Sequence, residues 1–168
     1  ELLLRLGMRR IKIASGELTN RPFLEVLART GRPLILSTGM ATLDETARAV
    51  EWLRASRGEA GWSADPGEWL TVLHCTSNYP AAPADVNLRA MTTMQAALGV
   101  PVGYSDHTLG IEVSLAAVAM GACVLEKHFT LDRSMPGPDH PASLDPTRLA
   151  DLVAGVRAVE QALGNGVK

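Results

Sequence analysis

The sequence predicts an α/β fold made of about five βα units of a parallel (β/α) barrel, on three observations. Short apolar runs alternate with amphipathic helical segments along the chain. Those runs are continuously apolar, as strands covered on both faces are. Polar residues gather at the C-terminal end of every run, the end where a barrel keeps its active site. A dinucleotide-binding doubly wound sheet is disfavoured, because no G-x-G-x-x-G follows the first strand.

The elements come in order. The opening ELLLRLGMRR has the character of a helix tail, and IKIAS (11–15) is the first strand. Asn20 caps the helix PFLEVLART, Pro22 sits in its first turn, and Gly31 stops it. PLILST (33–38) is the second strand, and Thr42 with Glu45 forms a capping box ahead of ETARAVEWLRAS. The stretch ASRGEAGWSADPGE (55–68) is expected to be an insertion before the third strand, away from the polar rim and without chemistry. LTVLHCTS (70–77) is that strand, and NLRAMTTMQAAL is a helix ended by Gly99 with Pro101 beyond. VPVGYS (100–105) and ACVLEKHF (122–129) are the fourth and fifth strands. Asp145 and Pro146 open the last helix, TRLADLVAGVRAVEQAL, and Gly164 closes it.

Composition narrows the function. The chain has 168 residues, 46% hydrophobic, with a net charge of −2. That balance carries no electrostatic footprint for nucleic acid or an anionic membrane. No apolar run approaches the ~18 residues a membrane span needs, and the opening lacks the charge order of a signal peptide. Cys75 and Cys123, each inside an apolar run, are expected to be buried thiols in a reducing, cytoplasmic setting. A start at Glu1 within a helix, and five repeats where a barrel has eight, suggest a piece of a longer chain.

His107 and His128 end the fourth and fifth strands. Neighbouring parallel strands lie about 4.8 Å apart, so equivalent positions on them converge and two imidazoles there can share a divalent cation. The alternative is two separately hydrogen-bonded core histidines. Asp106 and Glu126 are near enough in sequence to be acceptors for the rings. His74 falls on the other parity of its strand from Cys75, Ser77 and Tyr79 and is expected to be structural, as is the loop residue His140. Lys12, Ser15, Ser37, Ser77 and Ser105 bring a cation and hydroxyls to strand ends, a set suited to phosphate or carboxylate. Serines in such places also cap turns for purely local reasons. PGPD (136–139) is a turn that presents Asp139.

Taken together, KIASGELTNRPFL, PLILSTGMATLDE, LHCTSNYPA, PVGYSDHTLGIEVSLAAVAMGA and EKHFTLDRSMPGPDHPASL resemble the N-acetylneuraminate synthase family, which includes the legionaminic and pseudaminic acid synthases. The resemblance covers almost the whole chain. It implies the C-terminal part of a TIM (β/α)8 barrel that joins phosphoenolpyruvate to the open-chain aldehyde of an N-acetylated amino sugar. It places manganese or magnesium on His107 and His128, and phosphoenolpyruvate on Lys12, Ser15, Ser37 and Ser105. Ser77, Tyr79 and Asp139 would touch the sugar or the reaction intermediate, and Lys12 and Asp139 would carry catalytic roles. It further implies upstream strands bearing an acidic residue and a lysine. A downstream antifreeze-like domain would come after them, reaching a partner subunit in a homodimer. Another metal-dependent barrel, such as an aldolase, and a non-catalytic sugar-binding barrel remain the competing readings.

Overall fold

A computed structural model describes residues 2–167. Glu1 and Lys168, the two ends of the expected domain, lie outside the described residues. The strands are β1 (Ile11–Ile13), β2 (Leu34–Ser37), β3 (Leu70–Cys75), β4 (Val102–Asp106) and β5 (Leu125–Lys127). The helices are α1 (Leu2–Arg5), α2 (Arg21–Ala28), α3 (Leu43–Glu59), α4 (Pro83–Val86), α5 (Ala90–Leu98), α6 (Glu112–Ala119) and α7 (Pro146–Leu163). The sheet runs in chain order, β1-β2-β3-β4-β5. A doubly wound sheet reverses its order at a switch point, whereas a barrel keeps it sequential, so this is the barrel order.

By its contacts the chain forms two compact units, Glu1–Leu73 with Thr93–Pro101, and His74–Thr92 with Val102–Lys168. In the first, β1 and β2 pair in parallel as Ile11↔Leu34, Lys12↔Ile35 and Ile13↔Leu36. Ile13, Leu34 and Leu36 are buried, together with Leu24 and Ala28 of α2 and Ala49, Val50 and Leu53 of α3. The pleat therefore turns Lys12 and Ile35 to the opposite face, with Ser37 two positions further along it. Asn20 Oδ1 accepts from Phe23 N, and Thr42 and Glu45 form the reciprocal capping box, both as expected.

The stretch 55–68 departs from expectation. Residues 55–59 continue α3, and only residues 60–68 form a loop, with a single 3-10 turn at Pro66–Glu68. The reason is packing. Arg57, 5% exposed, donates from Nη1 to the Arg32 carbonyl at 3.0 Å and from Nη2 to the Gly31 carbonyl at 2.9 Å. Gly31 itself has φ +70°, and any Cβ there would run into the Trp62 indole. The segment thus pins the connection between α2 and β2.

In the second unit, β4 and β5 pair as Tyr104↔Leu125, Ser105↔Glu126 and Asp106↔Lys127. Tyr104, Ala117, Val118, Leu144 and Leu152 are its buried core, and α6 packs on α7 and on β4. The helix expected from Asn87 starts at Ala90, because Asn87 takes the left-handed conformation, φ 49°, and breaks it from α4. The two cysteines also part company: Cys75 is buried but Cys123 is exposed. Cys123 leads into β5, the last strand of the sheet, and lines an open cavity of about 440 Å3 with Leu125, Leu152 and Val156. Among the described residues no helix is long and apolar enough to cross a membrane.

Candidate metal and substrate site

The second unit gathers polar groups where β4 and β5 end. Ser105 and Glu126 are register partners on one face, and the Ser105 hydroxyl donates to Glu126 Oε1 at 2.8 Å. His107 and His128 come next on each chain segment. Their ring centroids stand 5.4 Å apart with planes at 82°, an edge-to-face pair. His107 Nδ1 donates to the Thr76 carbonyl at 2.7 Å. Because a carbonyl only accepts, this fixes the proton on Nδ1 and leaves Nε2 as the ring's lone-pair atom. Burial pushes the His107 imidazole below its ordinary pKa, the Thr76 carbonyl opposes that, and His128 adds to it.

Two loops close around the pair. After β3 the chain is strapped to His107 a second time, with Ala81 N donating to the His107 carbonyl at 2.9 Å. Between those two ties lies Tyr79, whose ring centroid is 4.1 Å from that of His107 and 5.3 Å from that of His128. Burial raises the Tyr79 phenol above its usual pKa, and the nearby Cys75, Asp139 and Glu126 raise it further, so it stays a neutral hydroxyl. After β5, Leu144 N donates to the His128 carbonyl and Thr130 N to the Leu144 carbonyl, both at 2.9 Å. This closes the loop at its base and returns Asp139, whose Oδ2 lies 3.9 Å from His128 Nδ1. The Asp139 carbonyl accepts from Ser143 Oγ at 2.8 Å, which holds the turn.

The second unit therefore brings together His107, His128, Tyr79, Ser105 and Asp139. Ser77 is exposed just beyond β3. Lys12, Ser15 and Ser37 belong to the first unit. There Lys12 is exposed, Ser15 opens a 3-10 turn, and Ser37 is 3% exposed with its hydroxyl unpartnered among the described residues. His74 Nε2 pairs with the Val86 carbonyl at 2.6 Å, and His140 Nδ1 with Thr130 Oγ1 at 2.7 Å, so both are engaged away from the ring pair.

Asp106 corrects one expectation. It is no acceptor for the His107 ring: its carboxylate takes Thr108, Ser114 and Lys127, and the Thr76 carbonyl holds the ring instead. Sequence reasoning missed Lys127 altogether. The signal available was a cation standing between Glu126 and His128 at the end of an apolar run.

Among the described residues no group of three or more His, Cys, Asp or Glu side chains is placed to hold a metal ion. The donor set for one is two imidazoles. A ring whose Nδ1–H is tied to a carbonyl is how metal-ligating histidines are usually oriented, and the His107 Nε2 lone pair here has only the Ser105 hydroxyl near it, at 3.4 Å, among the described residues. The pair thus fits part of a coordination shell, with water or substrate oxygens left to complete it.

The chain matches the NeuB family over residues 1–168. It is 51% identical over its whole length to the N,N'-diacetyllegionaminic acid synthase of Legionella pneumophila, covering 46% of that protein. It is 48% identical to the Campylobacter jejuni synthase of the same name, covering 48% of it. Among solved structures, the N-acetylneuraminic acid (sialic acid) synthetase of Leptospira borgpetersenii matches at a TM-score of 0.87 and 37% identity, over 99% of this chain and 55% of that one. The chain spans about half the length of the curated relatives it matches. The likeness in structure makes the five sequential strands a run of βα units from a TIM barrel.

Proposed function

This chain belongs to the NeuB family, and on that premise we propose that the protein is a nonulosonic acid synthase. It condenses phosphoenolpyruvate with the open-chain aldehyde of an N-acetylated hexosamine such as N-acetylmannosamine. The observation that carries this reading is the pairing of His107 and His128 at adjacent strand ends, with Tyr79 against both rings.

In the proposed reaction the enol carbon of phosphoenolpyruvate supplies the electron pair for a new bond to the aldehyde carbon. Water adds to the carbon bearing the phosphate ester, and phosphate leaves as that C–O bond breaks. Lys12 neutralises the carboxylate or phosphate of phosphoenolpyruvate, and Ser15 and Ser37 donate hydroxyls to the same anion. The buried, unpartnered Ser37 hydroxyl supports this role. Asp139 and the neutral Tyr79 phenol hold sugar hydroxyls beside the histidines. A divalent ion bound by His107 and His128 would polarise the aldehyde oxygen as a Lewis acid. Imidazole nitrogen suits the oxygen-seeking magnesium ion poorly, so of manganese and magnesium the pair favours manganese. From the same resemblance, the full-length protein is proposed to be a homodimer.

The test is phosphate release by the full-length protein, which should require phosphoenolpyruvate and an amino sugar together. His107→Ala or His128→Ala should lower turnover at least ~100-fold, the scale of a lost Lewis acid. Either variant retaining full activity in chelator would remove the metal role.

A further inference from the structure

We propose that the buried Asp106–Lys127 ion pair is a positioning device that sets the separation of His107 and His128. The geometry stands by itself, and its consequence for metal binding rests on the reading of the two histidines as metal ligands.

Each histidine is preceded by one partner of the pair. The pleat puts Ser105, Glu126 and the two rings on one face, and turns Asp106 and Lys127 to the other. Lys127 Nζ lies 2.9 Å from Asp106 Oδ2, with side chains 5% and 0% exposed. The same ammonium donates to the Thr108 carbonyl at 2.6 Å. Lys127 therefore grips the residues immediately before and after His107, while its own backbone leads directly into His128.

The carboxylate is fully engaged. Oδ1 accepts from Thr108 N and Thr108 Oγ1, both at 2.8 Å, and Oδ2 accepts from Ser114 Oγ at 2.5 Å as well as facing Lys127. Ser114 lies on α6, so the pair also fixes the strand ends to a helix.

The register of β4 and β5 ends at Asp106↔Lys127, so the histidines stand beyond the last paired residues. The ladder alone does not hold them at one spacing. A buried ion pair is a poor device for stability, since a well-packed apolar pair often does as well. What it adds is geometry: a charge-assisted contact joining the two strand ends where the ladder gives out.

The experiment uses the full-length protein with histidine-selective labelling. Lys127→Met alone leaves a carboxylate buried without its cation and risks misfolding. The double variant Asp106→Asn/Lys127→Met removes both charges together and keeps an amide partner for the Thr108 N–H and hydroxyl and for Ser114, while the Thr108 carbonyl gives up its Lys127 donor. Folding is checked by near-ultraviolet circular dichroism, manganese affinity by calorimetry, and ring spacing by the NOE between the two imidazoles. The folded double variant should lose that NOE and bind manganese at least ~10-fold more weakly, the lower end for lost outer partners of metal ligands. Lys127→Arg, which keeps the cation, should restore the NOE and most of the affinity. Should the parent protein show no manganese binding while the double variant still loses the NOE, the metal reading fails and the positioning role stands. A retained NOE in the folded double variant, or no rescue by Lys127→Arg, overturns the proposal whatever the affinity does.

Discussion

Arg57 offers a test of what holds the first unit together, separate from the chemistry. Its guanidinium is buried near the end of α3, forks onto the Gly31 and Arg32 carbonyls, and lies 4.5 Å from the centroid of the Trp69 ring. Burial pulls its pKa down, the mark of a cation held out of water. Arg57→Met keeps the stem and deletes the head. Each lost hydrogen bond costs about 1–1.5 kcal/mol, because Gly31 and Arg32 are not buried and their carbonyls can partly rehydrate. The lost stacking on Trp69 adds about 0.5–1 kcal/mol. Relief of the buried charge, whose Nε has no partner among the described residues, returns about 1 kcal/mol. The net is about 1.5–3 kcal/mol, which for a chain of this size lowers the melting temperature by roughly 3–12 °C. Arg57→Lys should recover less than half, since a point charge neither forks two carbonyls nor lies flat on an indole. Thermal unfolding followed by circular dichroism reads the effect, with phosphate release measured alongside. kcat/KM should stay at the parent value, because the side-chain partners of Arg57 among the described residues, Gly31, Arg32 and Trp69, all precede β2 or β3. A melting point within about 1 °C of the parent would refute the reasoning, as would lost activity at unchanged stability.

Two more predictions concern single residues. Ser37→Ala should leave stability unchanged or up to about 1 kcal/mol higher, since its buried hydroxyl has no partner among the described residues, yet raise the KM for phosphoenolpyruvate by about 10-fold or more; a stability loss with an unchanged KM would make the hydroxyl structural. Glu45 has its pKa lowered from 4.5, first by the Thr42 backbone N–H and then by the Thr42 hydroxyl, so its contribution is present above 4.5 and lost as pH falls through the lower folded value. The melting advantage of the parent over Glu45→Gln should therefore shrink across that acid range, and an advantage that does not change with pH would deny the linkage.

What was legible in the sequence is what local chemistry decides. Asn20, the Thr42–Glu45 pair and Asp145 cap the helices they were expected to cap, because a cap needs only residues a few positions apart. The barrel order came from polar residues recurring at one end of each apolar run. His107 and His128 could be paired because adjacent parallel strands convert one repeat of sequence into a fixed spacing. The misses are tertiary. Arg57 lay inside what looked like a polar insertion, and only its two carbonyl partners, 25 and 26 residues away, explain why the helix runs through it. Cys123 sits in an apolar run but just ahead of the last strand of the sheet, so hydropathy alone misjudged its burial. Tyr79 was expected at the site from the resemblance, but its stacking on both rings comes from Thr76 and Ala81 tying their loop to His107 through the backbone, which leaves no trace in residue types.

The same limit explains how the site is built. A residue at the rim of a parallel barrel stands past the last paired position, where the backbone ladder no longer constrains it. Its geometry must come from side chains and from backbone groups of neighbouring loops, here the Thr76 carbonyl and the Ala81 and Leu144 N–H groups. Here consecutive residues divide that work by the pleat. In Ser105–Asp106–His107 and Glu126–Lys127–His128 the outer members face the site, while the middle members face the helices and tie the strand ends together. Changes at positions 105 and 126 should therefore act on ligands directly. Those at 106 and 127 should act through spacing, leaving the donor atoms present but misplaced. The two kinds of loss differ in a measurable way: the first removes a contact, whereas the second can be repaired by any change that restores the distance.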